Sequence, residues 1–235
     1  MQSSKDIKSV AVLFSGGKDS VYALEYALSR WKVSYLLSIK PTRTDCYLFH
    51  YATVEHTPKL AKLTGLKHIL LKCNVAHPKR EADIVRRVVE MNPVDAVILG
   101  GVGVQRLQLK SIQDALLPFG TEVFASHAGH DHEEVIKDMT KKGYRFIISQ
   151  IASEGLNEYW LGKVIDERNI NELIQRSREF GFHVGGEGGY YDTLVLEAPI
   201  LNKALRMKHA VKYMEGQNVG YIEADFEEVP LQREY

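Results

Sequence analysis

Cysteine is nearly missing: the chain has 235 residues and only Cys46 and Cys73. The two are not in CxxC spacing. A cysteine-built zinc site and a disulfide scaffold are therefore set aside, and free thiols in a reducing compartment are expected. Net charge is missing as well, since thirty basic and thirty acidic residues cancel. That removes the overall field that draws a chain to nucleic acid or to an anionic membrane. No apolar run approaches the ~18 residues of a membrane span, and the opening "MQSSKDIKSV" lacks a hydrophobic signal core. A cytoplasmic protein, with neither membrane nor nucleic acid as partner, is the expectation. Two phosphate motifs are also absent. GxxxxGK[ST] does not occur, and "GGVGV" and "GGEGG" fail the GxGxxG spacing.

What is present is alternation. Short β-branched runs, "SVAVLF" (9–14), "VSYLLSIKP" (33–41), "KHILLKC" (67–73), "DAVILGG" (95–101), "TEVFAS" (121–126) and "RFIISQIA" (145–152), are separated by amphipathic stretches of helical length. This pattern predicts βαβ units, hence an α/β fold with a mainly parallel, doubly wound sheet. Ligands on such sheets sit at the carboxyl ends of the strands. Beyond 150 the alternation weakens and glycine accumulates. The expected organisation is a nucleotide-binding part, 1–150, followed by a smaller substrate-binding part, 151–235.

"FSGGKDSVYAL" (14–24) marks the first strand-to-helix junction. A helix N-terminus offers unpaired N–H groups and partial positive charge. Gly16 and Gly17 let the backbone wrap an anion, Lys18 adds a charge, and Ser15 and Ser20 add hydroxyls. Asp19 suits either Mg²⁺ or helix capping. The order Ser15-Gly16-Gly17-Lys18-Asp19-Ser20 resembles the SGGxDS signature of the PP-loop ATP pyrophosphatases. That resemblance implies a grip on the β,γ-pyrophosphate of ATP, AMP transfer to an acceptor oxygen, and Mg²⁺ as charge partner.

A second stretch, "HVGGEGGYYDTLVLEAP" (183–199), is similar to the GEGGEYETLV segment of the diphthine–ammonia ligase family. "SEGLNEYWLGKVID" (153–166) and "YLFHYATVEHTPKLAKLTGL" (47–66) resemble two further segments of that family, in the same order. The resemblance implies that ATP activates the carboxylate of diphthine on translation elongation factor two and that ammonia forms the amide. It carries the nucleotide to Ser15–Ser20, His50, Gly100 and Gly101. It carries the acceptor to Glu154, Gly186, Glu187, Gly188, Gly189 and Asp192. Lys18, Asp19 and Glu187 are the implied catalytic set, with Asp19 toward Mg²⁺. Trp160–Gly162 act on substrate or on packing, and a homodimer stays open.

The chain departs from the family at three strand ends. Tyr190 replaces an acidic residue, "VGVQRLQLKSIQ" keeps only Gln105 and Arg106 of the usual pattern, and "ASHAGHDH" (125–132) replaces an alanine-proline-leucine-tryptophan stretch. His127, His130, Asp131 and His132 there are either metal ligands or an acceptor-facing loop whose Asp131 caps a helix. Another acceptor (a tRNA base or a small acid) and a nucleotide sensor without turnover are the rival readings. The final segment, with "LNKALRMKHAVKYM", reads as a basic amphipathic stretch or a solvated strand and helix edge.

Overall fold

Two sheets of opposite character share the chain. The computed structural model describes residues 7–43, 45–49, 53–101 and 106–231. The first sheet is built from β1 (Ser9–Leu13), β2 (Lys32–Pro41), β3 (His68–Cys73), β4 (Ala96–Leu99) and β5 (Glu122–Ala125). Its order is β3-β2-β1-β4-β5 and every pairing is parallel. The strand order reverses between β1 and β4, which puts the crevice of this sheet at their carboxyl ends. The connections run through α1 (Lys18–Leu28), α2 (Thr57–Thr64), α3 (Pro78–Met91) and α4 (Arg106–Leu116).

Both faces of this sheet are covered, as the unbroken apolar character of its strands requires. Val10 and Val12 of β1 pack into one cluster with α1 and α2, while Ala11 packs into a second with Val85, Val88 and Val89 of α3 and Ile112 and Leu116 of α4. The α/β class and the parallel doubly wound sheet follow directly from the alternation.

The second sheet was not foreseen. β6 (Arg145–Ala152), β7 (Val164–Ile165), β8 (Tyr191–Glu197), β9 (Ala204–Met214) and β10 (Val219–Val229) form an antiparallel assembly, with β6 pairing β7, β8 and β10. By sequence position β6 was counted with the first part, 1–150. Its buried residues Phe146, Ile147 and Ile148 read the same beside a parallel or an antiparallel partner, so only the pairing shows where it belongs. The basic stretch 204–214 is strand β9, not a helix edge, paired along its length with β10. Helices α5 (His132–Lys141) and α6 (Ile170–Phe180) pack through Val135, Ile136, Met139, Leu173 and Ile174 into the cluster that both sheets share.

Trp160 is 2% exposed and belongs to that core, and Gly162 packs on Ile222, so this linking segment serves packing. Cys46 and Cys73 are free, and both thiols donate to the Val75 carbonyl at 3.4 Å. Burial first, then the neighbouring Cys73, pushes the Cys46 thiol up to about 12.

One buried charge organises a loop. Glu81 of α3 is fully buried, and its carboxylate accepts from the backbone N–H groups of Tyr47 (3.0 Å), Leu48 (2.7 Å) and His77 (3.0 Å). Truncating it strands three amides. Glu81→Ala is expected to cost about 3–5 kcal/mol in urea unfolding, and Glu81→Gln, which keeps one acceptor, clearly less. Equal midpoints for both variants and the native chain would refute this role.

Candidate functional site

The loop between β1 and α1 lies at the reversal of strand order. Gly16 adopts φ +80°, a left-handed turn that glycine takes without strain, and Gly17 caps α1. The hydroxyls form a small local network: Ser20 Oγ accepts from the Gly16 N–H at 3.1 Å and donates to the Gly17 carbonyl at 2.9 Å. The first helical N–H, that of Lys18, is taken by Thr193 Oγ1 of β8 at 3.1 Å. The Val195 N–H donates to the Gly16 carbonyl at 2.9 Å. The second sheet thus holds the β1–α1 loop of the first.

Lys18 is buried, 1% exposed. Its ammonium donates to Asp19 Oδ2 at 2.7 Å and to the Gly185 carbonyl at 2.5 Å. An ammonium has three donors, so one is left for an anion. Burial opposes the charge on Asp19, yet the Lys18 ammonium and the His132 imidazole outweigh it and hold the carboxyl far below the usual range. Asp19 Oδ1 faces His132 Nε2 at 3.3 Å. Both Asp19 oxygens are therefore engaged within the protein. Among the described residues no group of three His, Cys, Asp or Glu side chains gathers to hold a metal. The donor set does not fit a protein-built Mg²⁺ cage.

Glu187 sits on the loop before β8 with its side chain 4% exposed, and its Oε1 lies 3.3 Å from His132 Nδ1. Gly101 makes room for it: a Cβ there would fall 2.5 Å from Glu187 Oε1. Gly100 lies flat on the first turn of α1, where a Cβ would meet the Asp19 carbonyl carbon at 2.6 Å. Gly186 (φ +76°) brings the loop against the Tyr191 carbonyl. Tyr191 is buried beside Lys18, and its hydroxyl donates to the Val184 carbonyl.

These groups line one cleft of about 920 Å³, counting its open mouth. Polar groups (Ser15, Gly17, Lys18, Asp19, Ser20, Gly100) stand on one side. Leu13, Phe14, Ile39, Leu48 and Phe49 provide an apolar wall, and Gly185–Glu187 with Asp192 and Thr193 close the cleft. A lining of helix-start polar groups together with apolar side chains suits a nucleotide. Thr53, also on the wall, holds φ 65°, which costs a β-branched residue roughly 1–3 kcal/mol.

Of the residues expected from sequence, Ser15, Gly17–Ser20, Gly100, Gly186, Glu187 and Asp192 line this cleft, while Gly16 turns the loop beneath it and Gly101 makes room for Glu187. Glu154 is exposed at the end of β6 and stands apart, and Gly188 and Gly189 shape the turn without lining the cleft. His50 and Gln105 lie outside the described residues. The 127–132 histidines diverge. His127 stacks on Tyr22 with centroids 4.3 Å apart, Asp131 caps α5 by accepting from the Glu134 N–H, and His132 turns inward to Asp19 and Glu187. Thr193 and Glu81 carried no sequence signal, because their partners lie 175 and 33 residues away.

The chain matches the family description "Diphthamide synthase N-terminal domain" over residues 8–115 and "Diphthamide synthase C-terminal domain" over residues 131–227. The diphthine–ammonia ligase of Homo sapiens is 24% identical over 221 residues, covering 83% of this chain and 81% of that protein. That of Schizosaccharomyces pombe is 27% identical over 227 residues, 87% of this chain and 37% of that longer protein. A solved structure described as a predicted subunit of tRNA methyltransferase from Methanocaldococcus jannaschii aligns over 79% of this chain and 96% of that one. Its TM-score is 0.40 at 16% identity.

A second cleft runs along α1 from Tyr22 and Tyr26 to His127 and His130. Burial first, then the neighbouring His130, lowers His127 to about 4. The depressed value means that between about 6.5 and 4 the unfolded chain binds the proton and the folded chain does not. The folded state is therefore fully favoured above pH 6.5 and loses ground as pH falls toward 4. After allowance for partial exposure the loss is about 1–2 kcal/mol. His127→Phe keeps the stack on Tyr22 and removes the titration. Its unfolding free energy should fall less than that of the native chain between pH 7 and 4, and parallel curves would contradict the assignment.

Proposed function

The chain belongs to the diphthamide synthase family, whose N- and C-terminal domains it carries in order, and on that premise we propose that it is an ATP-dependent ligase joining ammonia to the carboxylate of diphthine. The buried Lys18 carries the reading. It stands at the N-terminus of α1, at the reversal of strand order, beneath a loop that presents Glu187. The named relatives, diphthine–ammonia ligases, support the same reaction.

In the first step an acceptor carboxylate oxygen attacks the α-phosphorus of ATP, and the bond to the β-phosphate bridging oxygen breaks. Charge grows on the departing pyrophosphate. The free N–H groups of the first turn of α1 and the third donor of Lys18 face that charge without reorganisation. Leu48 and Phe49 pack the base end and exclude water there. In the second step ammonia attacks the carbonyl carbon of the acyl adenylate. The nitrogen loses a proton, the bond to the AMP oxygen breaks, and AMP leaves. The Gly185–Glu187 loop and Asp192 border the acceptor end of the cleft. Mg²⁺ enters this reading only as the counter-ion that ATP carries on its phosphates. The protein substrate is elongation factor two, and the compartment is the cytoplasm.

The test supplies ATP, ammonium and diphthine-bearing elongation factor, and quantifies AMP and pyrophosphate against amide formed. One AMP per amide is expected. Lys18→Ala should slow the reaction roughly 100- to 1,000-fold. ATP binding without any AMP would leave a nucleotide sensor in place of a ligase.

A further inference from the structure

We infer that His132 is a positioning residue that holds the carboxylates of Asp19 and Glu187 in one fixed relation, coupling the end of the site that splits ATP to the end that consumes the activated acceptor. It rests on the ligase reading above. It concerns a residue in one of the three stretches where the chain departs from the diphthine–ammonia ligase pattern.

The imidazole has little freedom. Asp131 caps α5 through the Glu134 N–H at 3.0 Å, so His132 is the first residue of the helix and its direction is set by the cap. Its side chain is 4% exposed. Nε2 lies 3.3 Å from Asp19 Oδ1 in hydrogen-bonding geometry, and Nδ1 lies 3.3 Å from Glu187 Oε1 without the alignment of a directed bond. The second contact holds Glu187 when both ring nitrogens carry protons. The ring of His183 closes a third side, edge-on at 4.9 Å. Gly185 closes the fourth, where even a Cβ would fall 2.2 Å from the ring.

Asp19 and Glu187 lie on α1 and on the loop before β8, and both border the cleft that the ring itself does not line. Held by His132 at Oδ1, Asp19 presents Oδ2 to Lys18. Held at Oε1, Glu187 stays over Gly101. Without the ring, two carboxylates would face a void, and their placement relative to Lys18 would loosen. A displacement of this kind is felt in turnover more than in nucleotide affinity.

Three full-length proteins decide the matter: native, His132→Leu and His132→Gln. The leucine variant should lose roughly 10- to 100-fold in kcat for amide formation, with KM for ATP within about threefold. The glutamine variant, whose amide nitrogen carries two N–H donors for the two carboxylates, should recover most of that loss. A leucine variant with native kcat overturns the proposal. So does equal loss in both variants at native melting temperature, since the ring would then be filler. If His132→Leu does not fold, His132→Asn replaces it, its amide being too short to reach both carboxylates. A slow asparagine variant beside a fast glutamine one supports the role, and a fast asparagine variant overturns it. A coupling measurement needs no turnover. Asp19→Asn and Glu187→Gln should be non-additive in melting temperature with His132 present and additive without it. Additivity in both backgrounds refutes the bridge, whereas a native chain that forms no AMP refutes only the ligase reading.

Discussion

A buried ammonium must be matched or it unfolds its surroundings, and Lys18 is the buried ammonium on which this structure turns. Asp19 supplies the countercharge and the Gly185 carbonyl supplies the dipole. Because Gly185 belongs to the far half of the sequence, satisfying Lys18 fixes where that half sits. The same seam is closed by Thr193 on the Lys18 N–H, by Val195 on the Gly16 carbonyl and by Lys59 on the Phe226 carbonyl at 2.9 Å. The loop before α1 and the loop before β8 are therefore one construction.

The first sheet was legible in the sequence because its signals are local. Periodicity gives each strand and helix, and the βαβ handedness rule leaves few ways to assemble them. "SGGKDS" was legible for the same reason: one turn of chain holds its chemistry. The antiparallel sheet was not legible. β6 is apolar enough to be a strand in any company, and its partners in β8 and β10 lie 40 to 71 residues away, which no short window displays. Tyr191 and Thr193 gave no sign of facing a lysine from the first turn of α1.

The histidine stretch shows the same limit from the other side. Four potential ligands within six residues suggest a metal until the backbone turns them apart. His127 goes to an aromatic stack, Asp131 to a helix cap and His132 into the seam. The Asp131 cap was legible and is seen, whereas the inward turn of His132 was not, since a helix start rotates successive side chains by about 100°. Glu81 is a similar case. In "PKREADIVRR" it looks like one more charge on a solvated helix, yet it is the residue that holds the 47–48 backbone, and so Leu48 of the cleft lining, in place.

Gly185 and His132 occupy what is in effect a single volume, a ring on one side and the absence of a side chain on the other. Any lineage that places a methyl group at 185 must first shrink the residue at 132, and any that enlarges 132 needs glycine already in place. The two positions form a steric lock: a larger side chain at 185 and the His132 ring cannot both fit between the loop before β8 and the start of α5.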